Sequence, residues 1–265
     1  MLSSFKIGNK VIGEGRTFII AEIGSNHNND MYTAQQLIDV SINAGVDAVK
    51  FQVLEPLSLG KRDWYKQVFD YCNKKDILWF ASTNSLRGID FLEECNVKLH
   101  KIASPQTALS REHVLKVAKT GKPIVMSTGY CNHKTIWDRV HLIQKYNDKL
   151  ALLHCVSEYP TKPEIVNLRV IQSLKEEFQI PVGFSDHTLS WVITLSAVSM
   201  GADIIEKHIT LDTTQEGPDH HFALLPFKFA HMVHNIRIIE KTFGDGVKKV
   251  TKKEKETLKA IKEKQ

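Results

Sequence analysis

The chain has 265 residues, of which 42% are hydrophobic and 25% charged, and it carries a formal net charge of +5. This composition is typical of a globular protein and excludes collagen-like, disordered and small disulfide-rich classes. The length fits a single (β/α)8 barrel of roughly 250 residues, although two smaller domains would also fit it.

Eight short apolar runs, rich in β-branched residues, recur along the chain and predict eight strands. They are FIIAEIG (18–24), AVKFQVL (48–54), LWFAST (78–83), LHKIAS (99–104), PIVMSTG (123–129), ALLHCV (151–156), PVGFSDH (181–187) and DIIEKHIT (203–210).

Segments with helical spacing separate these runs. Two examples, TAQQLIDVSINAG (33–45) and REHVLKVAKTG (111–121), end in glycine, the expected helix stop. Strands that alternate with helices imply parallel pairing, and eight repeats favour a closed barrel over an open sheet. No GxGxxG follows the first strand and no GxxxxGK[ST] occurs, so a nucleotide-binding α/β fold loses its main support. We therefore predict an α/β fold, a single (β/α)8 TIM barrel.

The net charge is concentrated at the C-terminus. Residues 248–265 contain eight lysines and three glutamates, whereas the other 247 residues carry 27 basic and 27 acidic side chains. We expect a barrel over residues 1–247 and, over 248–265, a lysine-rich tail that is a solvated helix or a frayed end and not a domain. The neutral body argues against nucleic-acid binding.

The cysteines are scattered without a CxxC pair, which argues against a disulfide framework or a cysteine zinc site. The N-terminus lacks the apolar run of a signal peptide, and no window approaches about 18 uninterrupted apolar residues. We expect a cytoplasmic protein with reduced thiols and no membrane association.

Polar residues cluster where the predicted strands end, which is where the active sites of (β/α)8 barrels lie. Alternation along a strand places residues two apart on one face. The pairs that share a face in this way are Ser185 with His187, Glu206 with His208, and Lys50 with Gln52.

His187 and His208 end neighbouring strands, so they converge if those faces point into the barrel mouth. Two imidazoles leave several coordination positions open, which suits a metal that also binds substrate oxygen. The alternative is that each histidine is simply hydrogen-bonded at a strand end.

Lys50 and Lys101 lie inside apolar runs, where a charge is unfavourable unless an anion or a carboxylate neutralises it. With Ser104, Ser127 and Ser185 as donors, they could form a cradle for a phosphate and a carboxylate. A structural ion pair with Glu22 or Glu206 is the alternative.

Several of these residues belong to motifs that closely resemble the sialic acid synthase family, which includes N-acetylneuraminate, legionaminate and pseudaminate synthases. The motifs are AEIGSNHNND (21–30), DAVKFQ (47–52), KIAS (101–104), GKPIVMSTG (121–129), LLHCVSEYP (152–160), VGFSDHT (182–188), GADIIEKHIT (201–210) and GPDH (217–220).

The resemblance implies a homodimeric (β/α)8 barrel that condenses phosphoenolpyruvate with an N-acetylated aminohexose, with Mn²⁺, Mg²⁺ or a similar ion. It implies His187 and His208 as metal ligands. We predict that these two histidines and Glu22 are catalytic, with Glu22 transferring protons to or from the sugar or the attacking water. The implied phosphoenolpyruvate ligands are Lys50, Lys101, Ser104, Ser127 and Ser185, and those facing the sugar are Glu22, Gln52, Tyr159 and Asp219.

Three departures from the family pattern concern the sugar side. We expect no small C-terminal antifreeze-like domain, which in the family supplies an arginine to the partner's site. Gln106 stands where the family usually has a carboxylate, and the loop at 55–67 is shorter than usual. Two alternatives therefore stay open: a phosphoenolpyruvate-dependent synthase of another 3-deoxy sugar acid, and a non-catalytic barrel subunit that needs a partner.

Overall fold

The computed structural model describes residues 4–263. It contains ten strands: β1 (Phe5–Ile7), β2 (Lys10–Ile12), β3 (Phe18–Gly24), β4 (Ala48–Val53), β5 (Leu78–Thr83), β6 (His100–Ile102), β7 (Ile124–Ser127), β8 (Leu150–His154), β9 (Val182–Asp186) and β10 (Ile204–His208). Strands β3 to β10 form a closed parallel barrel in which β10 pairs with β3. The predicted (β/α)8 barrel is confirmed.

Within residues 4–263, nine α-helices cover the outside of the barrel and a tenth follows them at the C-terminal end. They are α1 (Met31–Ala44), α2 (Leu59–Lys74), α3 (Leu86–Glu94), α4 (Ser104–Leu109), α5 (Arg111–Ala118), α6 (His133–Gln144), α7 (Arg169–Phe178), α8 (Trp191–Ser199), α9 (Pro226–Glu240) and α10 (Lys252–Lys262). Helix α1 begins at an Asp30 cap and ends at Gly45, which adopts a left-handed φ of 82°. Helix α5 instead ends at Ala118, before the glycine predicted to stop it.

The segment after β4 corrects one prediction. Residues 55–67 were expected to be a loop, but α2 already begins at Leu59. The side chain of Ser58 accepts a hydrogen bond from the Lys61 backbone N–H at 3.3 Å and so caps the helix. Only residues 54–58 connect the strand to its helix.

A two-stranded hairpin, β1 and β2, precedes the barrel and was not among the predicted strands. Its attachment involves Asp47, a fully buried carboxylate at the N-terminal end of β4. Asp47 accepts a hydrogen bond from the Ile19 N–H at 3.0 Å and pairs with Lys10, Arg16 and Arg237. These contacts connect the hairpin and α9 to the end of the barrel opposite the strand carboxyl ends.

The C-terminal helix α10 differs from the others because all of its residues are exposed. A capping box between Thr251 and Glu254 begins it. Among the helices of residues 4–263, none combines the length and the apolarity that a membrane span requires.

Gly183, in β9, allows close packing against β10. A Cβ at this position would lie 2.3 Å from the backbone oxygen of Ile204. We expect Gly183→Ala to lower the free energy of unfolding by about 1–3 kcal/mol, because a fixed backbone atom must move. Urea-induced unfolding measures this.

The control is Gly60→Ala in the first turn of α2, where a Cβ meets no described atom within 4 Å. Its effect should be within about 1 kcal/mol and stabilising, since alanine favours a helix over glycine. Equal losses of stability in the two variants would contradict the prediction.

Candidate active site

The carboxyl ends of the barrel strands surround a polar cavity of about 280 Å³. The side chains predicted from the sequence to form the site all line this one cavity. They are Glu22, Lys50, Gln52, Lys101, Ser104, Ser127, Tyr159, Ser185, His187, His208 and Asp219.

Glu206 lies among the buried charges on the cavity floor. Its side chain accepts a hydrogen bond from the Ser185 hydroxyl at 2.9 Å. The Lys50 and Lys101 ammonium nitrogens lie 3.7 and 3.8 Å from its carboxylate oxygens. The sequence predicts that Glu206 shares a strand face with His208 and could pair with a lysine. Its contact with both lysines depends on closure of the barrel.

Lys50 also contacts Glu22, with 2.9 Å between Nζ and Oε1. Lys101 donates a hydrogen bond to the Ser127 hydroxyl at 2.6 Å. Both lysines therefore pair with carboxylates and also face the cavity. The same arrangement allows a structural ion pair and a cradle for an anion, so the two interpretations do not exclude each other.

The two buried carboxylates differ in acidity. Burial raises the pKa of Glu22 to about 7, although Lys50 opposes the rise. For Glu206, burial also favours the neutral form, but Lys101, Lys50, the Ser185 hydrogen bond and His187 together hold the pKa below its ordinary value. At neutral pH, Glu206 is an anion, while Glu22 can both hold and release a proton.

His187 is oriented by its neighbours. Its Nδ1 lies 2.9 Å from the Val156 carbonyl oxygen. Because a carbonyl only accepts, Nδ1 carries the proton and Nε2 is left with its lone pair. That Nε2 lies 3.4 Å from the Ser185 hydroxyl.

His208 faces His187, with 5.8 Å between ring centroids. Its Nδ1 is buried and has no hydrogen-bond partner among residues 4–263; Asp219 Oδ2 lies 3.7 Å away. Burial lowers the pKa of both histidines, that of His208 well below its ordinary value, so both rings are neutral at pH 7.

Two neutral imidazoles with unused nitrogens fit a divalent cation. Within the described part of the chain, no cluster of three or more His, Cys, Asp or Glu side chains has metal-binding geometry. An ion held by these two imidazoles alone would take its further ligands from substrate oxygens or water.

Tyr159 and Asp219 reach the cavity from loops. The Tyr159 ring centroid lies 4.4 Å from that of His187, and burial raises the pKa of its hydroxyl to about 12. Asp219 accepts a hydrogen bond from the Ser25 hydroxyl at 3.3 Å. Gln52 donates to Glu22 at 2.8 Å and so lies beside the same carboxylate as Lys50.

The cavity wall over β5 and β6 carries uncharged polar groups. Ser82, Asn84 and Gln106 line it together with Thr83. Cys155 also lines the cavity, with its sulfur 3.2 Å from the Ser104 hydroxyl. Apart from Gln106, none of these residues has a role predicted from the sequence, since isolated serines and asparagines form no recognisable local pattern.

Other polar residues at the strand ends lie outside the cavity. Asn26 donates to the Ile209 carbonyl at 2.9 Å, and the His27 ring packs 4.5 Å from that of Trp64. Asp186 and Lys207 pair with each other on the outer face of their strands.

Comparison with known proteins identifies the family of this chain. A model of the NeuB family matches residues 55–248. The chain belongs to the NeuB family. Sialic acid synthases of this family condense phosphoenolpyruvate with sugars, and the chain is a transferase of this type.

Three relatives illustrate the match. An uncharacterized protein of Methanocaldococcus jannaschii is 40% identical, over 93% of this chain and 78% of the relative. The N,N'-diacetyllegionaminic acid synthase of Campylobacter jejuni is 34% identical, over 93% and 83%. The solved N-acetylneuraminic acid synthetase of Leptospira borgpetersenii, in complex with citrate, is 32% identical, covers 99% of this chain and 97% of that chain, and has a TM-score of 0.90.

Lys101 should contribute to binding of the phosphoenolpyruvate anion. We expect Lys101→Met to raise the KM for phosphoenolpyruvate about tenfold or more, since a buried charge-assisted contact of about 1.5–3 kcal/mol is lost. Steady-state kinetics measures this.

Lys175→Met is the matched control, because Lys175 is also paired with a carboxylate, Asp203, but lies outside the cavity. Its KM should stay within about twofold of the parent value. A similar rise in both variants would contradict a local role for Lys101.

Proposed function

We propose that the protein condenses phosphoenolpyruvate with an N-acetylated aminohexose, similar to N-acetylmannosamine, in a metal-dependent reaction that gives a nonulosonic acid and phosphate. The observation that carries the proposal is the convergence of two buried lysines and two neutral histidines in one cavity. The lysines suit a small anion, and the histidines suit a cation next to it.

Phosphoenolpyruvate would bind between Lys50 and Lys101, with the hydroxyls of Ser104, Ser127 and Ser185 as further donors. Two ammonium groups offset the charges of the phosphate and the carboxylate. Glu206 already holds these ammonium groups near the cavity floor, so little rearrangement is needed when the anion enters.

His187 and His208 would hold the divalent cation, Mn²⁺, Mg²⁺ or a similar ion. Bound there, such an ion supplies Lewis acidity toward the carbonyl oxygen of the open-chain sugar. The Val156 carbonyl keeps the His187 ring in the tautomer that a metal requires.

The reaction forms one carbon–carbon bond and releases one phosphate. C3 of phosphoenolpyruvate attacks the aldehyde carbon, water adds to C2, and the resulting tetrahedral carbon expels phosphate to leave a keto acid. Glu22 would transfer protons to or from the sugar oxygen or the attacking water, because its pKa of about 7 lets it serve in either direction.

The acceptor sugar would lie between Glu22, Gln52, Tyr159 and Asp219. It would extend toward the uncharged cavity wall that includes Gln106. Hydroxyl and amide groups match such a wall, since neutral side chains can donate to and accept from them. The homodimer implied by the family resemblance stays a prediction.

The direct test is to incubate the protein with phosphoenolpyruvate, Mn²⁺ and a panel of aldoses, and to identify the product by mass. We expect phosphate release and a nonulosonic acid with N-acetylated aminohexoses. Product only from aldopentoses or aldose phosphates would favour a synthase of another 3-deoxy sugar acid. Phosphoenolpyruvate binding without phosphate release for any aldose would favour a non-catalytic subunit.

The histidine pair gives a second test. We expect His187→Ala and His208→Ala each to abolish turnover and high-affinity Mn²⁺ binding, because one imidazole alone leaves too few protein ligands. Mn²⁺ titration and phosphate release measure the two effects. His234→Ala, at an exposed histidine of α9, should change neither; full activity in either cavity variant would overturn the metal assignment.

Gln106 gives a test of the acceptor side. We expect Gln106→Ala to raise the KM for the sugar about three- to tenfold, as for loss of one hydrogen bond, while the KM for phosphoenolpyruvate stays within about twofold. Gln144→Ala, at an exposed glutamine of α6, is the control. An equal shift of both KM values would place Gln106 outside the acceptor site.

A further inference from the structure

Behind the cavity, two oppositely charged side chains are completely buried. Asp186 of β9 and Lys207 of β10 are each 0% exposed, and 3.1 Å separates Oδ2 from Nζ. Alternation along the strands turns them away from the cavity, because Ser185 and Glu206, which precede them, face it. The pair therefore occupies the layer between the barrel and its helices.

Such a pair is poorly explained by fold stability alone. Removing two charges from water is unfavourable by several kcal/mol for each ion, and well-packed apolar residues often replace buried ion pairs without loss of stability. The neighbouring residues on the same outer faces are apolar and buried, namely Phe184 in β9 and Ile205 in β10.

The hydrogen bonds of the pair converge on one residue. The Thr188 N–H donates to Asp186 Oδ1 at 2.8 Å, and the Thr188 carbonyl accepts from the Lys207 ammonium. The Thr194 hydroxyl, from α8, donates to the other Asp186 oxygen. Both backbone polar groups of Thr188, which directly follows His187, are thus held by charged groups.

His187 is held from the opposite direction as well. Its carbonyl oxygen accepts from the Thr161 N–H at 3.0 Å, and its ring donates to the Val156 carbonyl at 2.9 Å. Together with the contacts to Thr188, these bonds fix the backbone on both sides of the imidazole and leave its Nε2 in the cavity.

We propose that Asp186 and Lys207 are positioning residues that hold His187 in the orientation needed to bind the divalent cation. The inference rests on the metal role of His187 in the proposed function. Charge-assisted hydrogen bonds are roughly twice as strong as neutral ones, so an ion pair restrains the Thr188 backbone more tightly than neutral side chains would. Outer groups that orient metal ligands typically change metal affinity by about 10–100-fold.

The test is the double variant Asp186→Asn with Lys207→Met, which removes both charges at once and so leaves no unpaired buried ion. Mn²⁺ alone is titrated and followed by the electron paramagnetic resonance signal of the free ion, and unfolding is measured in urea. We expect a folded protein whose Mn²⁺ affinity is about tenfold or more lower, with metal-free phosphoenolpyruvate affinity within about twofold of the parent.

A second carboxylate–lysine pair, between the residue before β10 and helix α7, provides the control. Asp203, just before β10, pairs with Lys175 at 2.8 Å and accepts from the Val182 N–H at 2.9 Å, at the end of the strands away from the cavity. Asp203→Asn with Lys175→Met should leave Mn²⁺ affinity unchanged. Two outcomes overturn the positioning role: both double variants keep the Mn²⁺ affinity of the parent protein, or both lose affinity to the same extent.

If the first double variant does not fold, Thr194→Val keeps the inference testable. This nearly isosteric change removes one hydrogen bond to Asp186. We expect Mn²⁺ affinity to fall severalfold; unchanged affinity overturns the proposal. A parent protein that binds no Mn²⁺ would overturn the metal assignment itself, whereas retention of parent affinity in the folded variants would overturn only the positioning role.

Discussion

Glu206 connects the charges on which the cavity depends. Its carboxylate lies within 4 Å of both Lys50 and Lys101 and accepts a hydrogen bond from Ser185. Without this anion, two buried ammonium groups would face each other with only Glu22 for neutralisation, and their desolvation would be unfavourable by several kcal/mol. The negative charge of Glu206 favours the charged form of both lysines, and its contacts hold their ammonium groups at the cavity. The contacts of Glu206 with the two lysines therefore both stabilise the buried charges and place the lysines where an anion can bind.

The inner and outer faces of β9 and β10 carry different sets of polar residues. The inner face presents Glu206 and His208 to the cavity, and the outer face buries Asp186 and Lys207. Because successive side chains alternate, every residue of these short strands is committed to one face or the other. A substitution on the outer face can therefore change the cavity through the backbone alone, without touching a ligand. His187 stands at the junction, since it follows the last outward residue of β9.

The cavity also has a charged part and an uncharged part. Lysines, carboxylates and histidines occupy its floor and the side near β10, and neutral polar groups such as Ser82 and Gln106 line the wall over β5 and β6. In the proposed function, the charged part binds phosphoenolpyruvate and the cation. The uncharged part includes Gln106, where the sequence departs from the family pattern, so differences in acceptor among relatives are expected to arise there.

The sequence by itself determined the barrel and the inward faces of its strands, because period-two alternation and a strand–helix repeat are local properties. It thereby identified Lys50 and His187 as cavity residues, while Asp219 was reached only through the family motif. Tertiary structure decided what depends on distance between remote segments. The role of Glu206 between two lysines, the hairpin held by Asp47 and the start of α2 inside the predicted loop all belong to this class. Contacts across a closed barrel join residues far apart in the chain, and no local pattern records such distances.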